Sequence, residues 1–170
     1  MTDGRDTAAD SALGFLDELD RVLTDGAYMA TLGGRYFAMD RDQRWDRVRK
    51  AWRVIVEGKG TQAASYGDAI RTAYAQGQTD EFIEPVFLSA TPIVAGDAVW
   101  FFNFRADRVR QFAAALTRHN EEGCFQRYIP KLSSCLSMVR YRHDLDLDVL
   151  FKPVIPDATI GQVIAEHGLS

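Results

Sequence analysis

AVWFFNF, residues 98–104, runs without a break into RADRVRQFAAALTRH, residues 105–119. The first stretch is aromatic and β-branched and follows a turn at Gly96-Asp97, so it reads as a strand. In the second, Val109, Phe112 and Leu116 return at helical spacing with alanines between them, which predicts a helix from about residue 106 to 118. Strand, short polar turn and helix form the repeating unit of an α/β domain.

Working outward, the same alternation continues in both directions. Upstream, Phe82 to Phe87 reads as extended around Pro85, and Ser65 to Ala75 as a helix capped by Ser65 and stopped by Gly77. Trp45, Val48, Trp52, Ile55 and Val56 predict a helix from Asp42 to Glu57, ended by Gly58 and Gly60. Ala27 to Leu32 is a short strand that turns at Gly33-Gly34, and Leu13, Leu16, Leu19 and Leu23 mark an amphipathic helix over residues 8–24, with Asp10 or Ser11 as its cap. Downstream, Cys135 to Tyr141 and Val149 to Val154 read as strands, and Thr159 to His167 as a helix capped by Thr159 or Asp157. The reading is one domain over residues 1–170: a three-layer α/β domain with a mostly parallel central sheet flanked by helices, whose ligands should sit at the carboxyl ends of its strands.

Composition narrows the function. With 170 residues, 46% apolar and 26% charged, the chain has the balance of a soluble globular protein. A formal charge of −4 gives no surface field for phosphate backbones, so nucleic acid is excluded as a partner and any anion must be held locally. No leader pattern or apolar run long enough for a membrane is seen, and Cys124 and Cys135 read as apolar thiols, so a reducing cytoplasm is the expected location.

Sixteen of the twenty basic residues are arginine, and they gather just after strands. Arg35 and Arg41 follow the Ala27 to Leu32 strand; Arg105 and Arg108 follow AVWFFNF, three apart at a helix start, where they could jointly hold a phosphate or carboxylate or pair with Asp107. Arg44 and Arg47 read as solvated helix residues. Arg5 and Asp6, in DGRD, lie in a turn before the first helix; Asp6 could orient or deprotonate a substrate hydroxyl, or serve as a cap. HDLDLD, residues 143–148, places Asp144, Asp146 and Asp148 on one face of an extended segment, but Val149 stands where a calcium loop needs glycine, so a polar edge face is the reading. His119, His143 and His167 have no metal-ligand spacing, and no P-loop, CxxC pair or nucleophile elbow occurs.

Four segments together, DGRDT (3–7), GRYFAMDRDQRWDRV (34–48), TDEFI (79–83) and FFNFRADRVRQ (101–111), resemble the phosphotransferase domain of cofactor-independent (2,3-bisphosphoglycerate-independent) phosphoglycerate mutase. The resemblance implies interconversion of 3-phosphoglycerate and 2-phosphoglycerate in glycolysis and gluconeogenesis, through a phosphoserine on a separate phosphatase-like domain that binds two manganese ions. It implies that Arg5 and Asp6 contact the glycerate, with Asp6 assisting proton movement as the catalytic carboxylate, and that Arg35, Arg41, Arg105 and Arg108 surround the phosphate and carboxylate. The serine and metal ligands of the phosphatase-like domain have no counterpart among these residues, so the chain is expected to bind no metal and to be inactive alone. The alternative is a truncated, non-catalytic module that binds anions or docks on a partner with the same fold. Ala8-Ala9, Gly33 and Arg140 depart from the family pattern, Arg140 at a position that is often acidic.

Overall fold

The quoted stretch folds as a strand, a turn and a helix, with the strand ending at Phe101 rather than Phe104, in the computed structural model, which describes residues 1–24, 26–89, 92–152 and 158–168. In chain order the elements are α1 (Ala12–Val22), β1 (Thr31–Leu32), α2 (Arg35–Ala38), α3 (Trp45–Ile55), β2 (Thr61–Gln62) and α4 (Tyr66–Ala75). A single 3-10 turn (Asp80–Phe82) follows, then β3 (Val86–Phe87), β4 (Ala98–Phe101), α5 (Ala106–Thr117), β5 (Ser134–Ser137), β6 (Asp148–Val149) and α6 (Ile160–Glu166).

The pairing is mostly parallel, as expected, and is divided between two three-stranded sheets with orders β1-β3-β2 and β4-β5-β6. β4 and β5 pair in parallel with Val99 opposite Cys135, and β6 continues the sheet in the same sense. In the other sheet β2 is parallel to β3, and only β1 is antiparallel to it. These strands are shorter than the apolar runs suggested, because Gly33-Gly34, Pro85 and the bend after Ser137 end the ladders early.

The main core forms where α3 crosses α5. Ala113, Ala114 and Ala115 are fully buried and bring the α5 backbone close, while Trp52 fills the space between Phe112 and Phe125, with ring centroids 6.1 and 5.9 Å away. A second cluster joins Ala12 of α1 and Leu32 of β1 to Ala69, Ile70 and Ala73 of α4 and to Ile83. Ser65 caps α4 by accepting the Asp68 N–H, and Gly77 ends it at φ +75°, both as read. Thr159 and Gln162 form a reciprocal capping box on α6; Asp157, the other candidate cap, and residues 153 and 154 of the expected last strand lie outside the described residues.

The cap of α1 is a correction. Ser11 occupies the N-cap position, but its side chain makes no capping bond. Instead the Asp80 carboxylate, from the far side of α4, accepts the N–H groups of Ser11 and Ala12 at 2.9 and 2.8 Å and the Tyr74 hydroxyl at 2.5 Å. The short helix α2 also escaped the periodicity, since four residues are too few to show it. Asp144, Asp146 and Asp148 are exposed while Leu145 is buried, the alternation expected of a polar edge. Both cysteines are free; burial pushes the Cys135 thiol up to about 11 and raises Cys124 as well.

Candidate substrate-binding cleft

The cleft is built on the segment Asp80–Ile83. Gly34 N–H donates to Ile83 O at 2.8 Å, Asp80 N–H donates to Ala9 O at 2.8 Å, and the Thr2 hydroxyl donates to Asp80 O at 2.6 Å. Two glycines permit this approach. A Cβ on Gly34 would lie 2.1 Å from Glu81 O, and Gly4, at φ +64°, would place one 2.7 Å from both Asp80 Cβ and Glu81 N. Thr2 also forms an isolated parallel bridge with Gly34, so DGRD and the start of α2 are drawn together beneath the ends of the strands.

Arg35 sits at the centre, 6% exposed. Its Nη1 donates to Asp3 and, at 2.8 Å, to Asp6 Oδ2, while Arg105 Nη1 reaches the same Asp6 oxygen at 3.5 Å. Asp3 in turn accepts the backbone N–H groups of Arg5 and Asp6, an Asx-type turn that fixes the loop. The Arg35 guanidinium holds the Asp6 carboxyl below the usual carboxylate range. Burial raises Asp3, yet the Arg35 hydrogen bond and the two loop N–H groups outweigh it and lower it too. Asp6 is therefore an ionised acceptor poised between two guanidinium groups.

Arg41 pairs with Asp107 at 3.1 Å, and Arg5 pairs with Glu81 at 3.3 Å. Arg108 is different. Its side chain is 14% exposed, its Nε is buried without a hydrogen-bond partner, and its nearest carboxylate oxygen, on Asp107, is 4.0 Å away. Burial, followed by the positive charges of Arg35 and Arg41, makes its proton easier to lose. The cleft thus confines a cation with an unmet donor among other cations, an arrangement that an anion would relieve.

All six site residues predicted from the sequence, Arg5, Asp6, Arg35, Arg41, Arg105 and Arg108, are brought to one region. A cleft of about 240 Å³ is lined by Arg5, Arg35, Arg41, Arg44, Arg47 and Arg108, and Arg35 also lines an adjoining trough that holds Asp3, Asp6 and Arg105. A larger groove of about 710 Å³ near His119, Lys131 and Asp146 contains no arginine and only mixed charge, so it offers no comparable anion field.

Arg47 does not stand in solvent as its helical position suggested. It stacks 3.7 Å from the centre of the Tyr36 ring and lies 3.6 Å from Asp40. Arg44 stays half exposed but also faces the cleft. Asp40 and Gln111 are supporting residues missed in the sequence. Buried Asp40 accepts the N–H groups of Asp42 and Arg44 and the Gln111 amide, while Gln111 accepts the Gln43 N–H, which fixes the loop with Gln43 at φ +59°. Only the acidic residue that opens DRDQR, residues 40–44, hinted at this. Arg140 is exposed and does not line the cleft.

Among the described residues no group of three or more His, Cys, Asp or Glu side chains is placed to hold a metal ion, so these residues do not fit a two-manganese site. Among them, too, no helix is long and apolar enough to cross a membrane.

Comparison with known proteins shows the family. The family model described as "BPG-independent PGAM N-terminus" matches residues 1–143. Proteins named 2,3-bisphosphoglycerate-independent phosphoglycerate mutase are similar throughout: that of Roseobacter denitrificans is 44% identical over 99% of this chain and 34% of its own length, and that of Gloeobacter violaceus 41% identical over 99% and 32%. A solved structure of Leishmania mexicana phosphoglycerate mutase, at low cobalt concentration, superposes with a TM-score of 0.81 and 30% identity over 98% of this chain and 33% of that one. The chain thus spans about a third of the length of the relatives it matches.

Proposed function

Because the chain belongs to the family of the N-terminal region of 2,3-bisphosphoglycerate-independent phosphoglycerate mutase, we propose that it is the glycerate-binding, phosphotransferase part of such a mutase and holds 3-phosphoglycerate and 2-phosphoglycerate in the arginine cleft. The observation that carries this reading is Arg108, a confined cation with an unused buried donor in a cleft lined by five further arginines. A small, highly charged phosphorylated acid supplies the acceptors that this arrangement lacks, whereas a neutral ligand would leave the repulsion in place.

In this reading Arg41, Arg105 and Arg108 hold the phosphate and carboxylate, Arg5 exchanges Glu81 for the glycerate, and Arg35 anchors Asp6 beside the substrate hydroxyls. Asp6 stays ionised at neutral pH and can accept a hydroxyl hydrogen bond, orienting the oxygen that gains or loses the phosphoryl group. The retained glycerate turns within the cleft, so the hydroxyl that receives the group differs from the one that gave it. A phosphatase-like domain outside these residues would supply the serine and the manganese ions, whose chemistry is to activate the serine and neutralise the moving phosphoryl group. Sustained turnover by this chain alone is not expected, and the cytoplasm is its proposed location.

Calorimetric titration of the purified chain with 3-phosphoglycerate, beside Arg105→Ala, tests the reading. Saturable one-to-one binding that is lost in the variant, with D-lactate failing to bind, supports it. Equal binding by both proteins, or none by either, would reject the cleft as the site.

A further inference from the structure

Two parts of the chain bring their arginines to the cleft. Arg35 begins α2 and Arg41 follows its end, while Arg105 and Arg108 stand at the start of α5. At the mouth of the cleft these parts meet through exposed ion pairs, Arg41 with Asp107 and Arg105 with Asp6, for which a bound anion would compete. Beneath them the link is buried. Gln111 lies one turn after Arg108 on the same side of α5 and is 7% exposed, and Asp40, next to Arg41, is 5% exposed. The Gln111 amide is used at both ends: Nε2 donates to Asp40 Oδ2 at 3.0 Å, and Oε1 accepts the Gln43 N–H at 3.1 Å. Asp40 Oδ2 also accepts the Asp42 and Arg44 N–H groups, at 3.0 and 2.9 Å, so the backbone is pinned on both sides of Arg41. Gln43 stays at φ +59°, a conformation that a residue with a side chain keeps only where its surroundings hold it.

We propose that Gln111 is a positioning residue: through Asp40 and Gln43 it sets the span between Arg41 and Arg108, and so makes the cleft prefer an acid with two anionic groups at that spacing over a ligand with one. The proposal rests on the cleft being the site of a phosphorylated acid. Gln111 touches no ligand in this role. Its amide is spent on Asp40 and Gln43, and α5 is held by the buried face that follows, Ala113 to Leu116, so the amide carries a fixed position from the core to the Arg41 loop. An apolar side chain at 111 leaves α5 packed but removes one donor from buried Asp40 and the only side-chain acceptor given to the Gln43 N–H. Arg41 could then still meet an anion, but no longer at a set distance from Arg108.

Calorimetry on the full chain compares 3-phosphoglycerate with glycerol 3-phosphate, which keeps the phosphate and carries a neutral hydroxymethyl group in place of the carboxylate. The parent should prefer 3-phosphoglycerate. Gln111→Met should weaken 3-phosphoglycerate about tenfold, the loss of one well-placed charge-assisted hydrogen bond, and leave glycerol 3-phosphate nearly unchanged, so the preference collapses. Gln111→Asn stays polar but is one methylene too short to reach both partners; it should do the same, and it carries the test if the methionine variant fails to fold. Equal weakening of both ligands, as a general disturbance of the fold would give, or no change in either, would overturn the proposal. A parent that binds both ligands alike would overturn it too while leaving the anion cleft standing, whereas a parent that binds neither removes the cleft and the proposal together.

Discussion

Replacing Arg108 with methionine should make the protein more stable and worse at binding. An N–H buried without a partner costs about 1–3 kcal/mol, and exchanging a poorly compensated buried charge for an apolar side chain of similar volume is often stabilising by about 1–4 kcal/mol. Arg108 retains slight exposure and a distant carboxylate, so about 1–2 kcal/mol is expected. For 170 residues that corresponds to a Tm rise of about 2–8 °C. Affinity should move the other way. A lost charge-assisted bond to the ligand is worth about 1.5–3 kcal/mol, roughly a 10- to 150-fold weaker Kd for 3-phosphoglycerate. Urea unfolding and calorimetry on the same two proteins measure both effects. A variant that is less stable in the absence of ligand, or one that binds like the parent, would refute the reasoning that Arg108 is held in an unfavourable state awaiting an anion.

Other consequences follow from the framework beneath the cleft. Asp80→Ala removes the acceptor shared by Ser11, Ala12 and Tyr74 and should cost about 3–5 kcal/mol in urea unfolding, whereas Tyr74→Phe should cost only about 1–2 kcal/mol; equal losses would show that the α1 cap contributes little. Gly34→Ala forces a Cβ onto Glu81 O and should destabilise by about 1–3 kcal/mol, while Gly14→Ala, with open space at its Cβ on α1, should be neutral or stabilising. Asp3 and Asp6 have folded-state pKa values below those of the unfolded chain, so their pairing with Arg35 supports the fold fully above about pH 4, the unfolded carboxylate range, and is lost as pH falls through the lower folded values. Asp3→Asn should flatten the decline of the urea midpoint below about pH 4 relative to the parent; an unchanged slope would contradict the assignment.

The sequence disclosed what is local. α4 and α5 combine helical spacing with a nearby start or stop, Ser65 and Gly77 for one and the polar turn after AVWFFNF for the other, so both could be read without knowing their neighbours. The arginines were legible because they follow strands. What was hidden depends on distant partners. Asp80 caps a helix whose first residue is 68 positions away, and Gln111 fixes a loop 68 positions earlier. Arg47 belongs to the wet side of α3 when that helix is considered alone, but Tyr36 of another element covers it. The division of the strands into two sheets was equally invisible, because apolar runs mark strands without saying which edges meet. Asp3 lay within a quoted motif and was passed over because a turn carboxylate does not disclose that an arginine 32 residues later will be its partner.

The central claim is that the arginines of the cleft, Arg108 above all, engage a phosphorylated acid. NMR of the arginine Nε–H groups during titration with 3-phosphoglycerate observes those donors directly. The account predicts that the Arg108 Nε–H resonance shifts downfield on acquiring its first acceptor, with Arg41 and Arg105 changing along the same saturation curve. Unmoved resonances from these three residues, with changes confined to outward-facing arginines such as Arg49 and Arg53, would contradict it.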